Sequence, residues 1–97
     1  MGPGAEMGER VIYSTEAGIL MVTKPIDGKL ASFGNGMTIG LSAPNVAAVD
    51  AFHELGVAAG GSDEGAPGPR AAIPNSYAAY LRDPTGNKLV AWCVRES

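Results

Sequence analysis

Tyr77–Val94, YAAYLRDPTGNKLVAWCV, is the stretch from which the rest of this chain is read. Tyr77, Ala79 and Leu81 alternate with Ala78, Tyr80 and Arg82, the period of two that a half-buried strand needs. Asp83-Pro84-Thr85-Gly86-Asn87 follows. Asp bonds forward to the backbone, Pro presets the turn dihedral, and Gly takes the left-handed position that closes the turn. Lys88–Val94 returns as a second strand rich in β-forming residues. The stretch is a hairpin.

Upstream of it, Ser62–Asn75 (SDEGAPGPRAAIPN) is broken by prolines and glycines. It predicts an irregular segment, part of which runs as an edge strand, because proline confines a strand to an edge. Before that lies a helix. Asn45 is its N-cap, and Val46, Val49, Phe52 and Leu55 recur every three residues, with Ala48 and Ala59 widening the stripe. Gly60-Gly61 ends it. Asp50, His53 and Glu54 lie off the stripe and are expected to face water. Met37–Ser42 is a strand, and Pro25–Gly36 is a connecting loop punctuated by Asp27-Gly28 and Asn35-Gly36. Arg10–Thr15 and Ile19–Lys24 form a first hairpin through Glu16-Ala17-Gly18. Ile19–Lys24 is continuously apolar, so burial on both faces is expected. Met1–Gly8 has no periodicity and is expected to fray.

Ninety-seven residues set a single domain, 1–97. The net charge is −3, and the basic residues Arg10, Lys24, Lys29, Arg70, Arg82, Lys88 and Arg95 are scattered. Nucleic acid is therefore not an expected partner, since phosphate binding needs clustered cations. No segment has the apolar length of a membrane span, and the first ten residues lack the apolar stretch of a signal peptide. No membrane partner is expected, and the cytoplasm is the expected address. The single Cys93 has no second thiol to pair with and sits in an apolar strand as a small buried hydrophobe.

A strand ending in Arg82-Asp83-Pro84-Thr85-Gly86-Asn87 and followed by a short apolar strand resembles the closing hairpin of the vicinal oxygen chelate superfamily. That superfamily includes glyoxalase I, extradiol dioxygenases and bleomycin-resistance proteins. The likeness extends to Ala47–Gly61 (AAVDAFHELGVAAGG) and Gly65–Arg70 (GAPGPR), and covers roughly Arg10 to Val94. It implies an α+β fold. Residues 37–94 would be a complete β-α-β-β-β module, and residues 10–24 a remnant hairpin of a first module. A sheet left unfinished in this way implies a homodimer that completes the cup, two-fold pairing being the commonest assembly.

Metal-dependent members of the superfamily hold a divalent ion with His, Glu or Gln side chains inside a cupped sheet. The resemblance places those positions at Thr38, Val90 and Met21. Thr is a poor ligand, Val has no donor atom, and a thioether suits soft ions only. The family's usual metal site is therefore expected to be lost, and no cofactor is expected. Outside the resemblance, His53 with Asp50 and Glu54, and the pair Asp63-Glu64, read as solvated surface. Ser14, Ser32, Ser42, Ser62 and Ser76 lack the adjacent base that a nucleophile needs.

What remains is a cavity wall. If Thr38 and Val90 face inward, period two puts Gly40, Ala78, Tyr80 and Trp92 on that face, with Met21 and Thr23 joining from the first hairpin. Leu41, Leu81, Leu89 and Ala91 then pack against the helix. The inward set suits a small apolar or aromatic molecule, with Tyr80 and Trp92 offering ring faces for stacking or for a cation, and Arg70 at the rim able to meet an anion. Three readings stay open. One is a metal-free binding protein with Met21, Thr38, Tyr80, Val90, Trp92 and Arg70 around the ligand. The others are a metal-dependent glyoxalase-like lyase or dioxygenase, and an interaction module without a ligand site.

Overall fold

The computed structural model describes residues 5–7, 10–15 and 18–95. The chain divides into two compact units, Met1–Ala31 and Ser32–Ser97. The second has the β-α-β-β-β order.

In the first unit, β1 (Ala5–Met7), β2 (Arg10–Thr15) and β3 (Gly18–Thr23) form an antiparallel sheet in the order β1-β2-β3. The hairpin has the expected strands, with Ile12 opposite Met21 and Ser14 opposite Ile19. Residues Glu16 and Ala17 of its turn lie outside the described residues. Two expectations are corrected here. Ala5–Met7 does not fray but pairs with Arg10–Ile12; a three-residue strand is too short to show a period, and its order comes from its partner. Ile19–Thr23 is not buried on both faces, since Ile19, Met21 and Val22 are exposed. Among the described residues the first unit has no helix to cover that sheet.

The second unit contains β4 (Ile39–Ser42), α1 (Val46–Ala58), β5 (Ser62–Pro69), β6 (Ser76–Arg82) and β7 (Lys88–Val94). Its sheet has the order β4-β7-β6-β5, with β4 parallel to β7 and the other pairs antiparallel. The β6–β7 turn closes as its residue types require. Asp83 Oδ1 accepts from the Gly86 and Asn87 amides, both at 2.9 Å, and Gly86 has φ +107°. Burial works to raise the Asp83 carboxyl. Hydrogen bonds from the Asn87 side chain and the Asn87, Gly86 and Thr85 amides outweigh it and hold the pKa below its ordinary value.

Helix α1 is capped at both ends. Asn45 Oδ1 accepts from the Ala48 amide at 2.8 Å, which satisfies one of the four free amides of the first turn. At the other end Gly61 N–H donates to the Gly56 carbonyl at 3.0 Å and Gly60 N–H to that of Val57 at 3.1 Å. With Gly60 at φ +110° this is a Schellman ending.

The helix packs on β5, β6 and β7. Val49, Ala79 and Cys93 form the buried centre, with Ala43, Val46, Phe52 and Tyr77 packed around it. The stripe is not the one expected, because Leu55 is 67 % exposed. Residues spaced by three turn about 300° per step, so from Val46 to Leu55 the run walks half-way round the helix. Gly56 lies on the buried side instead. A Cβ there would collide with Leu81, itself buried, so the missing side chain lets helix and sheet approach.

Strand β5 is an edge with two register shifts against β6, between Asp63 and Gly65 and between Gly65 and Gly68. Each shift inserts an unpaired residue, and Pro67 and Pro69 sit in the same strand, as an edge permits.

The helix end yields a prediction. A Cβ on Gly61 would lie 2.8 Å from the Gly56 oxygen and 2.9 Å from the Arg82 oxygen. Neither main-chain atom can yield without opening α1 or β6. Gly61→Ala is expected to cost about 1–3 kcal/mol, measured by urea unfolding.

Candidate functional site

With α1 on one face of the second sheet, strand alternation assigns the side chains of the other. Register aligns Gly40, Val90, Tyr80 and Gly65 in one row across the sheet. Ser42, Trp92, Ala78 and Gly68 form the next row. Both edges of this face are small and its middle is bulky. Tyr80 and Trp92 stand on neighbouring strands, and Trp92 is 41 % exposed. A Cβ on Gly40 would lie 3.7 Å from Trp92 Nε1, so the indole nitrogen lies over the glycine. That N–H has no hydrogen-bond partner among the described residues. The Cys93 thiol is buried on the helix side, as alternation expects.

Tyr80, Val90 and Trp92 therefore share a face, as the sequence expects. Thr38, exposed and immediately before β4, alternates onto it with Gly40. Met21 lies on β3 of the first unit, 41 % exposed. On the helix side, Leu41, Leu81, Leu89 and Ala91 alternate together, as expected.

Arg70 has a definite place. Its Nη1 donates to the Gly68 carbonyl at 2.9 Å and to that of Pro69 at 3.2 Å, and its Nη2 to that of Ala66 at 2.9 Å. The guanidinium carbon lies 5.5 Å from the centre of the Tyr80 ring. A Cβ on Gly65 would come within 3.2 Å of Nη2 and 3.4 Å of the Tyr80 ring. The glycine leaves the space in which the cation rests. Lys88 Nζ is 5.3 Å from the centre of the same ring. Two cations of the protein itself already engage Tyr80, within the range of cation–π attraction.

Sequence reasoning missed Lys88. Lys88 pairs with Arg82 in register, two residues beyond the Val90–Tyr80 pair, so both project to this face. The same alternation that selected Tyr80 and Val90 would have selected them. Arg82 is occupied: its Nε pairs with Glu64, its Nη1 donates to the Gly86 carbonyl at 2.7 Å, and its guanidinium lies 5.8 Å from the Phe33 ring centre. Gly34, Met37, Ile39, Asn87 and Lys88 line a shallow depression at this end of the sheet.

On the helix side, His53 and Asp50 do not simply face water. The His53 side chain is 16 % exposed, and Nε2 lies 2.8 Å from Asp63 Oδ1. The Tyr77 hydroxyl donates to Asp50 Oδ1 at 2.6 Å. These bonds tie α1 to β5 and β6. The bond to His53 and a second from the Gly65 amide hold the Asp63 carboxyl below its ordinary value, while the bond to Asp50 raises the Tyr77 hydroxyl.

The positions where the resemblance places metal ligands do not fit a divalent ion, because the Val90 side chain has no donor atom and Thr38 offers only a hydroxyl. Among the described residues, no group of three or more His, Cys, Asp or Glu side chains could hold a metal. No helix is long and apolar enough to cross a membrane among the same residues.

No protein-family model matches the chain, and no curated protein matches it. Solved structures do. A glyoxalase/bleomycin resistance protein from Albidiferax ferrireducens is 44 % identical, with a TM-score of 0.87 over 98 % of this chain and 76 % of that one. A glyoxalase-related enzyme from Fulvimarina pelagi, 19 % identical, has a TM-score of 0.70 over 94 % of this chain and 68 % of that one. A glyoxalase/bleomycin resistance protein/dioxygenase family enzyme from Burkholderia phytofirmans, 18 % identical, has a TM-score of 0.70 over 93 % and 75 %. These last two share the fold, whereas the first shares sequence as well. The chain belongs to the glyoxalase/bleomycin resistance protein family.

The Asp63 geometry sets a pH dependence. A carboxyl whose folded pKa is depressed contributes stability present above its unfolded value and lost as pH falls through the folded one. The gap in melting temperature between this protein and Asp63→Asn is expected to hold at neutral pH. It should shrink as pH falls below 3.8, the ordinary value for this group, measured by calorimetry from pH 7 to pH 2.5 or so.

Proposed function

We propose that this protein binds a small apolar or aromatic molecule, without a metal, on the sheet face of the second unit opposite α1. The observation that carries this reading is the exposed Trp92 beside Tyr80, Val90 and the small residues Gly40 and Ala78. An exposed indole on a floor of small residues offers a flat ligand a stacking surface. Thr38 contributes a hydroxyl at the edge, and Arg70 and Lys88 bound the face near Tyr80. Nothing in the face pairs a nucleophile with a base, so the chemistry it supports is binding.

The supporting frame is small, because Val49 is the one large side chain fully buried among the described residues. A core of this size has little margin, and a second copy of the chain is the natural supplement. Strand β5 guards its edge with bulges, prolines and the acidic pair Asp63-Glu64. Strand β4, the opposite edge, has no charge, proline or bulge between Ile39 and Ser42. We therefore propose a homodimer as the working form. Light scattering across a concentration series should give twice the chain mass, and a monomer at every concentration would remove this part of the proposal.

Trp92 is the single tryptophan, so its emission reports on the face directly. Neutral aromatic probes such as 2-naphthamide are expected to shift the melting temperature upward. Trp92→Ala should weaken their binding about tenfold, the scale of a buried aromatic contact. A broad panel of apolar and aromatic compounds that leaves the melting temperature and the Trp92 signal unmoved would refute the binding reading.

A further inference from the structure

We propose that Asn35-Gly36 is a site of spontaneous covalent modification, at which the Gly36 main-chain amide attacks the Asn35 side chain and converts residue 35 to aspartyl and isoaspartyl forms. The inference is independent of the binding reading above.

The reaction needs a side-chain carboxamide and the amide nitrogen of the following residue, both unengaged, with room to close a five-membered ring. The chain offers Asn35, Asn45, Asn75 and Asn87. Three of them are restrained. Asn45 caps α1, its Oδ1 accepting from the Ala48 amide at 2.8 Å, and the β-branched Val46 follows it. Asn87 donates from Nδ2 to Asp83 Oδ2 at 2.9 Å. After Asn75 the attacking nitrogen is occupied, because the N–H of the buried Ser76 donates to the Ile73 carbonyl at 3.2 Å.

Asn35 has none of these restraints. Its side chain and the Gly36 amide have no hydrogen-bond partner among the described residues, and both residues are exposed in the loop before β4. Gly36 stands at φ +94°, and a Cβ built on it would meet nothing within 4 Å. Glycine serves the bend because other residues avoid that region, and the same missing side chain leaves its nitrogen unshielded. Sequence alone marks Asn-Gly as a turn; the structure adds that, of the four asparagines, this one is held by nothing.

The chemistry balances with water as the sole co-reactant. The deprotonated Gly36 nitrogen bonds to Asn35 Cγ, the Cγ–Nδ2 bond breaks, and ammonia leaves with a proton taken from water. Water then opens the cyclic imide at either carbonyl. One opening gives an ordinary aspartyl residue. The other gives an isoaspartyl residue, whose main chain runs through the side-chain carbon. Each conversion makes the chain one charge more negative than its formal −3. The new carboxylate arises between Gly34 and Met37, two residues that line the depression beside Lys88.

The test incubates the full chain at neutral and at mildly alkaline pH and follows each asparagine by peptide mass spectrometry. An isoaspartyl carboxyl methyltransferase serves as the probe for the rearranged product. Residue 35 is expected to convert first, with a mass gain of about 1 Da as NH2 is replaced by OH, and faster as hydroxide rises. In guanidinium-unfolded chain its rate should be much the same, whereas Asn45, Asn75 and Asn87 should convert more slowly folded than unfolded. Asn35→Gln, which leaves the Gly36 bend in place but would need a six-membered ring, should lose the early acidic species and its methyl acceptance. Conversion of another asparagine before Asn35 would overturn the proposal. So would an Asn35 that converts only on unfolding, or an early acidic species that persists in Asn35→Gln.

Discussion

Everything in the second unit depends on how closely α1 lies on its sheet. The contact is made by Val49 over Ala79 and Cys93, and by a glycine where any side chain would strike Leu81. Close-packed interiors do not deform gradually, so this seat fixes more than the helix. A strand has two faces and a residue belongs to one of them. Once Ala79, Leu81, Ala91 and Cys93 are committed to the helix, Ala78, Tyr80, Val90 and Trp92 are committed to the other side. A slip of one residue would bury Tyr80 and Trp92 under α1 and turn Leu81 out to water. The functional face is thus specified indirectly, by the packing on its reverse.

The hairpin at 76–94 was legible because turn chemistry and alternation agree there, residue by residue. The caps of α1 were legible for the same reason, since Asn45 and Gly60 have few other uses at those positions. The stripe on the helix departs from its sequence pattern at Leu55, because a spacing of three imitates the helical period for one turn and then drifts away from it. His53 reads as surface in the sequence but links to Asp63; nothing in a helical period reveals what a following bulged strand brings alongside. Strand β1 left no signal at all, since three residues carry no period and their order comes from β2.

The candidate face divides along the same line. Tyr80, Val90 and Trp92 followed from parity within two adjacent strands, where the turn fixes the register. Lys88 obeys the same parity, but an apolar wall gives no reason to expect a cation there. Arg70 could be placed near the rim by its position in the chain, but its lodging over Gly65 and Gly68 could not. That arrangement requires knowing where the two shifts of β5 fall, and a segment of prolines and glycines gives no period from which to count.

The carbonyls that hold Arg70 belong to Ala66, Gly68 and Pro69. They are main-chain atoms, available because a shifted, proline-bearing edge strand does not use all its carbonyls for pairing. The clamp on the guanidinium is therefore independent of side-chain identity at 66 and 69. Mutational drift at those two positions can proceed while the charge stays where it is, provided the strand keeps its uneven contour. Among relatives of this chain, the feature to look for is thus a spacing rather than a signature: an arginine following a strand with the same surplus of residues over its neighbour.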